Sequence, residues 1–171
     1  TSAPGAPGLP NQALLNGAVV SITTIPLTVN WSASVTGTVD HYELQRSINN
    51  GAFANVALPT PTSTSLVVNV APGTTNNFRV RACSIANNCS AYSTGTSRIL
   101  ASVQETVKDI SYSGAWTNQI VAGAFGGSVR FASTNRDKAQ YKFTATSVSF
   151  VGTVGPNRGR VSISVDGGAA Q

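Results

Sequence analysis

The chain has 171 residues and a formal net charge of +5, with only 10% charged and 7% aromatic residues. This length allows one large domain or two small ones. The basic residues are scattered, and no run of Lys or Arg reaches even three, whereas a nucleic-acid binder usually gathers them on one stripe. Nucleic-acid binding is therefore not expected. No apolar stretch approaches the length of a membrane span, which is about 18 residues, so we expect no membrane-spanning segment either.

The chain begins with "TSAPGAPGLP", a stretch rich in Pro and Gly. This composition is typical of an extended linker or of the junction left by a removed signal, and we interpret residues 1–12 as a linker. The first residue is Thr1, no signal peptide is visible, and the sequence contains no Met. We therefore expect a processed product or an excised piece of a longer protein.

Residues 13–102 contain short runs in which apolar and polar residues alternate. Alternation places the apolar side chains on one face, as in a half-buried strand. "NNGAF" is a turn signal before a short strand at 53–57. Strands separated by turn signals every eight to twelve residues or so indicate an all-β sandwich. The residues predicted to face its core are Leu27, Val29, Trp31, Tyr42, Leu44, Leu66, Val68, Val70, Phe78, Val80 and Ala82.

The two cysteines stand close together in "ACSIANNCSAYS", with five residues between Cys83 and Cys89. This spacing fits a strand–loop–strand hairpin closed by a cross-strand disulfide, and the alternative is a pair of reduced thiols. A disulfide implies an oxidising compartment. The only histidine is His41 and there is no second Cys pair, so no metal site is expected.

The order of "LTVNWSAS", "VDHYELQRSINNGAF", "LVVNVAPGTTNNFRVRAC" and "NCSAYST" resembles a fibronectin type III domain over about residues 10–100. The resemblance implies that Trp31 packs in the core of the sandwich. Asn76 stands where the family usually has a Tyr that makes a corner hydrogen bond, and an Asn is expected to make a shorter local bond to the backbone. The resemblance implies a spacer, and the absence of RGD gives no reason to expect integrin-type adhesion.

After a bridge, "RILASVQETVKD", alternation restarts near residue 109 with larger aromatics. About five strands are predicted in the next 60 residues or so. Their inward-facing candidates include the pairs Tyr141 and Phe143, Val148 and Phe150, and the triplet Val161, Ile163 and Val165.

The stretches "YSGAW", "GGSVRFAS", "YKFTATSVSFVG" and "GPNRGRVSISVDG" resemble the first half of a jelly-roll module of secreted bacterial proteins. Their layout is similar to that of galactose-binding-like carbohydrate-binding modules. A jelly roll needs about eight strands in two sheets, and in the family roughly three more strands follow the "VDG" turn. The resemblance therefore implies an incomplete jelly-roll-like binding domain over residues 103–171.

The Gly-rich segment "VGTVGPNRGR" has two interpretations. A phosphate-binding loop is not one of them, because its glycine spacing is wrong and a strand rather than a helix follows. The first interpretation is an ordinary strand–loop–strand turned by Pro156, with a tight hairpin at Asp166-Gly167. The second is a rim that contacts a sugar or a partner, because Arg and Asn donate well to hydroxyls and carboxylates. The residues of that rim are Asn157, Arg158 and Arg160.

Aromatic side chains are the other candidate ligand contacts, because an aromatic face fits the apolar side of a sugar ring. Phe125, in the Gly-rich loop "VAGAFGG", is the one we favour as exposed, although it can also fold back as a plug. Tyr112 is a further candidate. Trp116 and Phe131 are candidates as well, but core positions are the better interpretation for these two.

No catalytic constellation is recognisable. His41 follows Asp40, but nothing places a serine beside it as a triad requires. Glu105 and Asp109, near the domain junction, form the only carboxylate pair that merits inspection for glycosidase chemistry. The glycosylation triplets at Asn30 and Asn88 are interpreted as chance matches.

Taken together, these patterns predict a non-catalytic, secreted or cell-surface pair of modules without cofactor or metal. The expected partner is a polysaccharide or a cell-envelope glycan, with calcium dependence left open. The alternative is a structural subunit of a surface appendage, fibre or surface layer, completed by strand exchange with neighbouring copies of itself. The alternative is favoured by the unfinished jelly roll, because open strand edges invite strand addition.

Overall fold

The computed structural model describes residues 2–169 and shows an all-β protein, as the sequence predicts. The described part contains twelve strands and a single short 3₁₀ turn at Phe125–Gly127. The strands are β1 Asn11–Leu14, β2 Ile25–Asn30, β3 His41–Ile48, β4 Ala54–Val56, β5 Ser65–Val70, β6 Thr75–Cys83, β7 Ser93–Thr94, β8 Arg98–Ile99, β9 Ser111–Ser113, β10 Trp116–Ile120, β11 Ser128–Ala132 and β12 Lys138–Gln140.

The first eight strands form two antiparallel sheets. One has the order β1-β2-β5, and the other has the order β4-β3-β6-β7, with β8 also pairing with β6. The register places Val29 opposite Leu66 in the first sheet and Leu44 opposite Val80 in the second. The buried side chains of both sheets belong to one apolar cluster, so the two sheets pack face to face as a sandwich.

The core of this sandwich contains every residue that the alternation predicts for it, and those predictions are confirmed. Trp31 lies edge-on to Tyr42, with ring centroids 6.0 Å apart and an interplanar angle of 76°. Such a T-shaped pair matches the positive edge of one ring to the negative face of the other. The Tyr42 hydroxyl in turn accepts a hydrogen bond from the Ser34 N–H at 3.0 Å.

The described residues before β1 are part of the sandwich, which corrects the linker interpretation of residues 1–12; Thr1 lies outside the described residues. Pro4, Pro7 and Pro10 are buried. Their spacing of three equals the period of a polyproline II helix, which brings all three to one face. The glycines between them allow a close approach of the two backbones. The Gly5 N–H donates to Thr36 O at 3.0 Å, and the Gly8 N–H donates to Ser32 O at 2.8 Å. The Pro/Gly-rich segment before β1 therefore packs against the sandwich, and we call it the strap.

The last four strands form two separate antiparallel pairs, β9 with β12 and β10 with β11. Among the described residues 103–169, none is fully buried. The strands predicted within 141–165 are wrong, since no strand forms over the described residues 141–169. A strand is defined by the neighbour that takes its backbone hydrogen bonds, and within residues 2–169 no segment pairs with this stretch.

The turns predicted in this stretch do form. The Arg158 N–H donates to Gly155 O at 3.1 Å around Pro156. The Gly168 N–H donates to Val165 O at 2.9 Å, and Asp166 and Gly167 have φ values of 52° and 73°. Two consecutive positive φ angles are what a tight type I′ turn requires.

Candidate functional site

The cysteine loop closes as predicted. Cys83 and Cys89 form a disulfide with an S–S distance of 2.05 Å. Inside it, the Asn87 N–H donates to Ser84 O at 2.8 Å, and Asn87 adopts a φ of 57°. The side chain of Ile85 at the tip is exposed. The disulfide prediction is confirmed, and the disulfide closes the loop that follows β6.

Two carboxylates flank His41 in the part of the chain that the structure describes. Its Nδ1 lies 2.9 Å from Asp40 Oδ2, and its Nε2 lies 3.9 Å from Glu43 Oε1. A catalytic base needs a nucleophile at the second ring nitrogen, and here a carboxylate stands there instead. Cys83 is close enough to complete a three-residue metal cluster with His41 and Glu43, but its sulfur is bonded to Cys89. It therefore offers no thiolate, which is the form that binds metals.

The outer face of the larger sheet carries an arginine–aromatic ladder that the sequence pattern does not predict. The Arg79 guanidinium carbon lies 4.2 Å from the ring centroids of both Phe53 and Tyr92, and that of Arg81 lies 4.8 Å from Tyr92. Arg81 also pairs with Glu43 at 2.7 Å. Each cation over a ring contributes about 0.5–1 kcal/mol at an exposed site. The ladder joins β3, β6 and the segments before β4 and β7.

Asn76 takes the place of the corner tyrosine and is only 1% exposed. Its amide nitrogen donates to Thr74 O and Oγ1, both at 3.1 Å, which confirms the expected local bond. Its Oδ1 also accepts two hydrogen bonds from the Arg46 guanidinium. Burial lowers the pKa of Arg46, because removing water disfavours the charged form. Asn76 thus provides the acceptor that this partly desolvated cation needs.

The second unit brings together an aromatic pair and polar side chains. The rings of Tyr112 and Trp116 lie 5.0 Å apart, and the Arg130 guanidinium lies 4.3 Å from the Tyr112 ring. Arg130 Nε donates to Asn118 Oδ1 at 2.6 Å. The Tyr112 hydroxyl donates to the Glu105 carbonyl at 2.8 Å. Burial raises the pKa of the Tyr112 hydroxyl, while the nearby Arg130 acts in the opposite direction. We call these five residues the aromatic–arginine cluster.

Among the described residues, the hydrogen bonds and ring contacts that define this cluster include neither Phe125 nor the residues 157–160. Phe125 is half-buried in the 3₁₀ turn, whereas Asn157, Arg158 and Arg160 are exposed around the turn that contains Pro156. Of the other aromatic candidates, Tyr112 and Trp116 are half-buried. Phe131 is exposed, so its interpretation as a core residue is wrong. The Glu105 carboxylate accepts a hydrogen bond from Ser128 Oγ.

The two sheets form a sandwich whose core contains Trp31 and the other predicted inward-facing residues. This architecture can be compared with known protein families. The fibronectin type III family matches residues 12–96. This part of the chain is a fibronectin type III domain. The match does not extend into residues 103–171, and the jelly-roll interpretation of that region stays a prediction. No curated protein matched the chain.

Fibronectin type III domains typically act as non-catalytic modules or spacers, and residues 12–96 form such a domain. The folded domain extends slightly beyond residue 96, because β8 pairs with β6 and the Gly73 N–H donates to Leu100 O at 2.7 Å. Among residues 2–169, no helix has the length and apolar character needed to cross a membrane.

Proposed function

We propose that the protein is a non-catalytic extracellular pair of modules in which the fibronectin type III domain is the spacer. The second unit, over residues 103–171, binds a polysaccharide or a cell-envelope glycan. The proposal rests on the aromatic–arginine cluster, which offers a ring pair, a guanidinium and an amide within one small region. Sugars are bound by this combination, because rings contact their apolar faces and Arg or Asn side chains bind their hydroxyls.

Extracellular placement is supported by the Cys83–Cys89 disulfide, because disulfides persist in oxidising compartments. The exposed rim of Asn157, Arg158 and Arg160, together with Phe125, forms a second set of proposed contacts on the same unit. These side chains extend the binding surface only if the ligand is long enough to reach both regions, as a polysaccharide is.

A glycan array probed with the full chain tests this function, followed by titration calorimetry on any hit. Arg130→Ala is expected to weaken binding by about tenfold or more, because it removes a charged donor and the cation beside Tyr112. Arg136→Ala is the matched control, since Arg136 is exposed in the same unit. Arg158→Ala reports separately on the rim. An array without hits, or equal losses for Arg130→Ala and Arg136→Ala, contradicts the proposed site.

The second candidate function is a structural subunit that assembles through strand exchange. The observation that favours it is the row of exposed apolar side chains in residues 141–169. Phe150 is 60% exposed, and Val161 is exposed to the same extent. Alternating apolar residues that no strand covers are suited to pairing with another chain. A chain that stays monomeric at high concentration contradicts this candidate.

A further inference from the structure

The outer edge of β5 is an open row of backbone hydrogen-bonding groups. The Trp31 N–H donates to Thr64 O at 3.0 Å, just before the β2–β5 ladder. Hydrogen-bonded and non-bonded pairs alternate along an antiparallel ladder. Since Val29 pairs with Leu66, every second residue from Leu66 onward bonds to β2. The residues between them, Ser65, Val67 and Asn69, therefore direct their N–H and C=O groups away from β2.

Pro26 supports this assignment independently. It stands opposite Asn69 in the ladder, and proline has no N–H to donate. A proline is tolerated at that place because the pair is a non-bonded one. Within residues 2–169, no strand pairs with the other side of β5.

This edge also lacks the features that protect other edges. Exposed edges are usually very short, charged, or interrupted by proline or a bulge. The edge strands of the larger sheet, β4 and β7, have only three and two residues. β5 has six, without charge or proline, and no charged residue stands anywhere between Arg46 and Arg79. On its outer face Val67 is 54% exposed.

The same chain contains a segment of matching chemistry. Residues 161–165 read Val-Ser-Ile-Ser-Val, a strict alternation bounded by Arg160 and Asp166. The three apolar side chains are exposed. Within the described part of the chain, this segment belongs to no strand. It is uncharged over five residues, long enough to cover the open groups of β5.

We propose that residues 161–165 of one copy add as an extra strand to the β5 edge of a second copy. The added strand continues the smaller sheet of the sandwich, with backbone hydrogen bonds giving affinity and the apolar face extending the core. Because the β5 edge and residues 161–165 are different surfaces, the contact repeats from copy to copy and builds rings or open chains of subunits. The inference rests on the second candidate function above and names its contact.

Two substitutions in the full chain test the two surfaces of this contact separately: the β5 edge as the acceptor, and residues 161–165 as the donor segment. Val67→Pro removes an N–H that points to the open edge, a place where proline is tolerated in a sheet. Val67→Thr is its matched control, because it keeps the N–H and the β-branched shape. Ile163→Pro disables the donor segment in the same way. Sedimentation velocity over a concentration series up to about 1 mM measures assembly, and thermal unfolding checks that each variant is folded.

Wild type and Val67→Thr are expected to assemble with rising concentration, whereas Val67→Pro and Ile163→Pro stay monomeric. A mixture of the two proline variants is expected to stop at 1:1 dimers, because each supplies the surface that the other lacks. Assembly that persists in Val67→Pro overturns the β5 contact but leaves the second candidate function standing. A wild-type monomer at every concentration overturns both.

A labelled peptide of residues 159–168 provides a second measurement that does not depend on the folding of Val67→Pro. It is expected to bind the wild-type chain and to slow amide hydrogen exchange at Ser65, Val67 and Asn69. Peptide binding without slower exchange at these three amides, or no binding, contradicts the inference.

Discussion

The fibronectin type III domain and the region after it contain the same kind of sequence pattern but differ in what the pattern becomes. In residues 12–96, alternating runs form two sheets whose inner faces cover each other. In residues 141–169, equally regular alternation remains exposed and unpaired in the described part of the chain. Alternation thus predicts which side chains share a face. Burial depends in addition on a second face that covers them.

Truncating one phenylalanine in each region is expected to give the largest difference between them. Phe78→Ala is expected to reduce the free energy of unfolding by about 3–5 kcal/mol, because Phe78 is fully buried and truncation leaves a cavity. Phe150→Ala is expected to change it by less than about 0.5 kcal/mol, because its ring is mostly in solvent. Urea denaturation followed by tryptophan fluorescence measures both. Similar losses for the two variants contradict the difference between the regions.

Asn76→Ala tests whether the corner of the sandwich depends on the amide. The substitution leaves the partly desolvated Arg46 guanidinium without its acceptor, and a loss of about 1–3 kcal/mol is expected. Asn55→Ala is the control, because its hydrogen bond to Gln45 is exposed. If urea denaturation gives equal stabilities for the two variants, the hydrogen bonds of Asn76 do not stabilise the domain.

Reducing the disulfide is expected to cost about 2 kcal/mol, since Cys83–Cys89 closes a short loop and a short loop restricts the unfolded chain only modestly. The effect should appear in the unfolding transition of the sandwich. Denaturation with and without reductant checks this, and the double variant Cys83→Ala, Cys89→Ala should match the reduced protein. A reductant effect that persists in this cysteine-free double variant excludes the disulfide as its cause.

The smallest effect is expected from the arginine–aromatic ladder. Arg79→Gln should reduce the free energy of unfolding by about 0.5–2 kcal/mol, because Arg79 contacts two rings at once. Arg158→Gln, in an exposed turn, should be neutral. Chemical denaturation of both variants side by side separates a contribution of the ladder from a general effect of lowering the net charge.

The sequence allowed the sandwich to be predicted closely, because its strands alternate strictly and its turns carry Gly, Pro or Asn at positions that need them. The packing of the strap before β1 could not be predicted, since a spacing of three among Pro4, Pro7 and Pro10 is not a periodicity of strands or helices. The strands expected within 141–165 failed for another reason. Pairing is a property of two segments, and alternation in one segment says nothing of where its partner lies.

Of the candidate site, the disulfide and the turn at Asp166-Gly167 could be predicted because both depend on local spacing. The contacts of Arg79 with Phe53 and Tyr92 could not, because they join positions far apart in the chain. A weak signal was present: Arg79 and Arg81 alternate outward on a central strand, and the stems of long cationic side chains pack along apolar surface such as nearby rings.

Native-state hydrogen exchange of the full chain, at a dilution where it sediments as a monomer, tests the central claim that stable backbone structure is concentrated in the fibronectin type III domain. The amides of β2, β3 and β6 are expected to exchange slowly, at rates set by global unfolding, whereas those of 141–169 exchange at the rate of an unstructured peptide. Comparable protection in both regions of the monomer would contradict the account.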